Sequence, residues 1–183
     1  MTTAVRTSAL AVGVLFAAAT AMAQTPTAAQ RVARGKYLMT IGACNDCHSP
    51  KKPGTTDPDP TRIFSGRPQT TMAPSQNPTE VHASLDLTAW SGPWGISYGA
   101  NLTPDPETGL KKRYTEASFI KTLRTGKKPE GEDLLPPMPW ALYKALSDED
   151  LKSIWAYLQT IKPINNNVKA AGPAPGQGIP KKK

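Results

Sequence analysis

Apolar residues recur at helical spacing most clearly near the C-terminal end, where Leu151, Ile154, Trp155, Leu158 and Ile161 fall every three or four positions. Ser147 stands before them as an N-cap. Asp148, Glu149 and Asp150 fill the first turn, where the helix dipole favours anions. Ser147 and Asp150 have capping-box spacing, with Asp in place of the usual Glu or Gln, and Pro163 stops the helix. A second helix is predicted after Thr115 as N-cap, with Tyr114 and Phe119 spaced as a hydrophobic staple and Gly126 at its end. A third covers Gln30 to about Ile41, with Val32, Leu38 and Ile41 apolar. Gly35 inside it costs about 1 kcal/mol against Ala. That cost makes sense if another helix crosses closely there.

Lys51 to Ala100 contains seven prolines and no sustained periodicity. A structureless run of this length normally counts against a compact domain. It becomes tolerable if a large prosthetic group supplies much of the core. At the N-terminus a lone Arg6, an apolar run from Ala9 to Ala19 and the triplet Ala21-Met22-Ala23 read as a secretory signal peptide cleaved after Ala23. The run is shorter than the roughly 20 residues a bilayer span needs. The chain therefore divides into a signal peptide over 1–23, a flexible lead over 24–29, a domain over 30–162 and a disordered basic tail over 163–183. The expected compartment is a bacterial periplasm, with no membrane span after cleavage.

Composition narrows the classes. The chain has 183 residues, 22 Lys+Arg, 14 Asp+Glu, two His and two Cys. Cleavage leaves 160 residues and a formal charge of +7. A mean hydropathy of −0.42 excludes a multi-span membrane protein, while 38% hydrophobic residues suffice for a modest core. Two cysteines cannot staple a disulfide-dense scaffold.

Both cysteines lie in Cys44-Asn45-Asp46-Cys47-His48, the C-x-x-C-H spacing of c-type haem attachment. Two thiols add across the two haem vinyl groups, and the following histidine lies under the iron as proximal ligand. A thioredoxin-like pair would want a βαβ context, and a zinc site would want a second ligand pair. The only other histidine is His82. The expected cofactor is one haem c, covalently held by Cys44 and Cys47 with His48 on the iron.

The sixth ligand decides the function: if it is strong the protein carries electrons, and if it is absent the iron takes gases or peroxide. Candidates are Met39, Met72, Met138 and His82. Met39 lies on the leading helix and reads as core filling, Met72 sits in a loop, and His82 in a polar one. Met138 stands in Leu134-Leu135-Pro136-Pro137-Met138-Pro139-Trp140, where prolines limit loop entropy and can present one thioether to the iron. Met138 is the expected distal ligand. Trp140 beside it is placed to pack at the haem edge or to donate its indole N–H to a propionate.

These residues resemble a monohaem c-type cytochrome domain. Leu102-Thr103-Pro104-Asp105-Pro106-Glu107-Thr108-Gly109 and Leu146-Ser147-Asp148-Glu149-Asp150-Leu151 narrow the resemblance. It is to the single cytochrome domains of periplasmic alcohol, aldehyde and gluconate dehydrogenase cytochrome subunits, over about residues 30–162. The resemblance implies an all-α cytochrome c fold with crossing N- and C-terminal helices and long irregular loops around the haem. Gly35 and Tyr37 would then meet the Trp155/Tyr157 region. Those subunits carry several such domains, whereas one C-x-x-C-H motif stands here.

The first function expected is thus an electron carrier linking a periplasmic dehydrogenase to a membrane oxidase of the respiratory chain. The alternatives are a cytochrome subunit of an alcohol-, aldehyde- or thiosulfate-oxidising enzyme, or a gas-binding haem protein. No catalytic acid/base constellation is evident. Lys111, Lys112, Arg113, Lys121, Arg124, Lys127 and Lys128 form a basic region over 111–128 that could steer an acidic redox partner. No nucleic-acid motif accompanies the charge. Asn101-Leu102-Thr103 matches a glycosylation sequon and reads as chance.

Overall fold

The computed structural model describes residues 25–77 and 79–168. The expected signal peptide over 1–23, Gln24 and residues 169–183 of the expected tail lie outside the described residues. Helix α1 spans Ala28–Ile41 and starts in a capping box, with the Thr27 side chain accepting from the Gln30 N–H and the Gln30 side chain accepting from the Thr27 N–H. The helix thus reaches two residues into the lead. Gly42 ends it, and Ala43, in the left-handed region at φ 53°, turns the chain into the one-turn helix α2, Cys44–His48.

Helix α4 (Glu116–Thr125) follows the short α3 (Leu110–Arg113). It is capped at Thr115 and closed by Gly126 at φ 71°, and Tyr114 meets Phe119 edge-on at 6.3 Å. The short α5 (Trp140–Tyr143) leads to α6 (Asp148–Leu158), where the Ser147 side chain accepts from the Asp150 N–H. The capping-box spacing is satisfied on that one side, and the helix ends five residues before Pro163.

Helices α1 and α6 cross as the resemblance implies, and Gly35 is where they touch. A Cβ there would lie 1.9 Å from the Ser153 carbonyl oxygen and 2.8 Å from the Tyr157 Cβ. Tyr37 does not join this contact. It is 56% exposed, with the Arg34 guanidinium 5.6 Å from its ring centroid. Ion pairs from Arg31 to Glu149 (2.9 Å) and from Arg34 to Asp150 (2.8 Å) edge the crossing. Leu38, Met39, Phe64, Leu110, Phe119, Leu123, Leu151, Ile154 and Leu158 form the core between these helices.

The all-α expectation is overturned. Three antiparallel strands, β1 (His82–Ala83), β2 (Ala89–Gly92) and β3 (Gly95–Tyr98), form a sheet in that order within the stretch that lacked periodicity. The Pro93-Trp94 pair joins β2 to β3, with Gly92 opposite Gly95. The strands are short and mostly buried on both faces, with Ser91 and Ser97 at buried positions. Neither face alternates apolar with polar, so no period of two was visible.

Residues 163–168 pack against the domain. Asn166 is buried and donates to the Ser65 and Arg67 carbonyls (2.7 and 2.9 Å). Asn101, 1% exposed, donates to the Ile164 carbonyl (2.8 Å), so its amide is committed inside the protein. No described helix is long and apolar enough to cross a membrane.

Candidate haem-attachment site

Helix α2 carries Cys44, Cys47 and His48 on little more than one turn, all half-buried. Both cysteines are free thiols. Burial pushes the Cys44 thiol up to about 11 and raises that of Cys47 as well. Such thiols stay protonated at neutral pH, unlike the low-pKa thiolates of redox-active pairs. Each has an aromatic neighbour. The Tyr143 hydroxyl lies within hydrogen-bonding reach of the Cys44 sulfur and donates to the Gly42 carbonyl at 2.8 Å, while Trp90 neighbours Cys47. Burial raises Tyr143 to about 12, which keeps it a donor.

The His48 Nδ1 lies 2.9 Å from the Ala100 carbonyl oxygen. A carbonyl only accepts, so Nδ1 carries the proton and Nε2 keeps its lone pair. Burial, with the Arg113 charge adding to it, lowers the imidazole's proton affinity. Histidine is therefore neutral at physiological pH and suited to bind iron through Nε2. The donor set of two free thiols and one imidazole with its Nε2 lone pair available fits a covalent haem.

The segment that orients His48 is tightly seated. The Gly99, Ala100 and Asn101 carbonyls accept from the Arg67 N–H, His48 Nδ1 and Arg113 Nη2 respectively. A Cβ at Gly99 would lie 1.9 Å from the Cys47 carbonyl oxygen, and one at Gly66 would lie 2.6 Å from the Gly99 oxygen. Only glycines let these backbones meet. Arg67 is 5% exposed, with its guanidinium 4.5 Å from the Tyr98 ring centroid, and Arg113 is half-buried. Neither forms an ion pair among the described residues.

Met138 is half-buried and packs, like Cys44 and Tyr143, against the main core cluster. Met39 is 2% exposed within that cluster. Met72 is 85% exposed, and His82 sits on β1 with Nε2 2.9 Å from a Glu80 carboxylate oxygen. The Trp140 ring lies over Gly126, where a Cβ would be 2.4 Å away, and Lys144 stands 5.9 Å from its centroid.

The basic region is partly spent internally. Arg113 serves the carbonyls of Gly109 and Asn101, Arg124 pairs with Asp148, Lys127 with Asp133 and Lys128 with Glu132. Lys111, Lys112 and Lys121 are exposed without an ion-pair partner among the described residues. Ala100, Tyr143 and the Ser97–Pro136 contact escaped sequence reasoning, because each reaches its partner across a long stretch of chain, while Arg113 reads only as a surface charge.

Sequence comparison finds the chain similar to cytochrome c subunits of dehydrogenases, the resemblance that the motifs implied. The chain is 33% identical over 144 residues to the fructose dehydrogenase cytochrome subunit of Gluconobacter japonicus, 77% of this chain and 24% of that protein. It is 34% identical over 126 residues to the gluconate 2-dehydrogenase cytochrome c subunit of Pantoea cypripedii (69% and 22%). It is also 30% identical over 149 residues to the alcohol dehydrogenase (quinone) cytochrome c subunit of Komagataeibacter europaeus (80% and 26%). The chain thus spans about a quarter of the length of these relatives. No family model matches it.

Proposed function

We propose that the protein is a periplasmic electron carrier with one haem c, attached through Cys44 and Cys47, with His48 as proximal and Met138 as distal iron ligand. When bound, the haem supplies one-electron chemistry between ferric and ferrous iron. The chain's own residues bind and orient it. The thiols of α2 anchor it, and the Ala100 carbonyl fixes the His48 tautomer. Tyr143 ties α5 to the turn before Cys44, and the half-buried Arg113 brings positive charge beside His48 that favours the reduced state. The observation that carries this reading is the His48 Nδ1 contact with Ala100, which leaves Nε2 free beside two unpaired thiols.

The dehydrogenase subunits among its relatives support a dehydrogenase as electron donor; the acceptor in this proposal is a respiratory-chain oxidase. Lys111, Lys112 and Lys121 are the charges left to steer an acidic partner. A second reading, as a cytochrome subunit held in such a dehydrogenase, is favoured by the same relatives.

Spectroscopy tests the assignment. The exported protein should carry haem that survives denaturation and is lost in Cys44→Ala/Cys47→Ala. The ferric form should show the weak red band of a methionine–iron bond, absent in Met138→Ala. A wild-type high-spin spectrum that readily binds carbon monoxide overturns it. Copurification with a dehydrogenase in fixed stoichiometry decides for the subunit.

A further inference from the structure

We infer that the β2–β3 hairpin braces the Met138 loop, with Ser97 as a positioning residue for the methionine; the inference rests on Met138 being the distal ligand. Ser97 is buried on β3, and its hydroxyl donates to the Pro136 carbonyl, 39 residues away. The same oxygen accepts from the Trp94 indole N–H at 3.3 Å. The indole folds back over Gly92, where a Cβ would lie 2.5 Å from the ring. A directed chain therefore runs from the hairpin turn through Ser97 into the loop two residues before Met138.

The loop needs an outside anchor. Pro136, Pro137 and Pro139 have no N–H, so Leu135 to Trp140 can be tied internally only through a few donors. The Met138 N–H reaches the Leu135 carbonyl at 3.2 Å and the Trp140 N–H reaches the Met138 carbonyl at 2.9 Å. Trp140 is seated on Gly126 at the end of α4, and Ser97 holds the other end at Pro136. The strand also continues, three residues later, into Ala100, whose carbonyl orients His48. One extended segment thus sets both iron ligands, through Ser97 on one side and Ala100 on the other.

The test is titration of the ferric holoprotein with imidazole, which competes with methionine for the iron. A braced loop opposes displacement. Ser97→Ala should bind imidazole roughly fivefold more tightly, the loss of about one hydrogen bond, while Ser97→Thr stays within about twofold of wild type. Thr61→Ala, which breaks an exposed contact with Asp59 away from the hairpin, should leave the affinity unchanged. Trp94→Phe removes only the indole donor, shifts affinity in the same direction, and carries the test if Ser97→Ala does not fold. A purely structural Ser97 would lower the denaturation midpoint without changing imidazole affinity, and that result overturns the brace. A wild type without the methionine–iron band, or with the band intact in Met138→Ala, overturns the ligand assignment and the brace together. The band present and Met138-dependent, with imidazole affinity unmoved in both hairpin variants, overturns the brace alone.

Discussion

His48 takes its tautomer from a carbonyl 52 residues away, and that carbonyl sits between two others that receive Arg67 and Arg113. Arg113 neighbours the imidazole closely enough to lower its proton affinity and meets no carboxylate in an ion pair among the described residues. A cation there favours the iron state with the smaller positive charge. Arg113→Met should therefore lower the midpoint potential by on the order of 50 mV, and Arg113→Lys should keep much of the wild-type value. Redox titration of the intact holoproteins reads both. The C-x-x-C-H site was legible because its geometry is local, fixed by a few consecutive residues. Arg113 read as one surface charge among seven, because nothing in its neighbours signals that its guanidinium turns inward to the Asn101 carbonyl.

At the scale of elements, helices with strong end signals formed close to where those signals stand. Thr115, Gly126 and Ser147 each cap the helix they were read to cap. Gly35 was legible as a crossing point because its helix cost demands a reason, and the backbone of α6 supplies it. Gly35→Ala should cost about 3 kcal/mol or more by chemical denaturation, since its Cβ meets backbone that cannot rotate away. The sheet left no comparable signal. Its strands are four residues or fewer, and β2 and β3 bury small polar side chains and are covered on both faces. The Gly92-Pro93-Trp94-Gly95 punctuation between Trp90 and Ile96 was the available cue. It also places Ser97 against Pro136, which no local pattern encodes.

Across the whole molecule the chain closes on itself after α6. Asn101 and Asn166 tie the segment beyond Pro163 to the loops around Ser65 and Arg67. A chain ending at Lys162 should unfold at lower denaturant than one ending at Val168. Asn166→Ala should account for about 2 kcal/mol of the difference, because it leaves two buried carbonyls without their donor. The composition of this segment, Asn-rich and next to a lysine tail, reads as unstructured because its partners are backbone carbonyls distant in sequence. Charge behaves alike: the basic region over 111–128 reads as one surface, yet Arg124, Lys127 and Lys128 are paired within the fold.

The sequence by itself determined the C-x-x-C-H motif, the helices that cross and the glycine that lets them. Those features depend on neighbours within a few residues, or on a backbone cost that demands a partner. The tertiary structure decided which carbonyl orients His48, which arginines turn inward, and that a small sheet stands in the stretch that looked structureless. Those outcomes rest on contacts between residues tens of positions apart. Polar groups leaving water must find partners wherever the fold brings them, and sequence spacing carries no record of that choice.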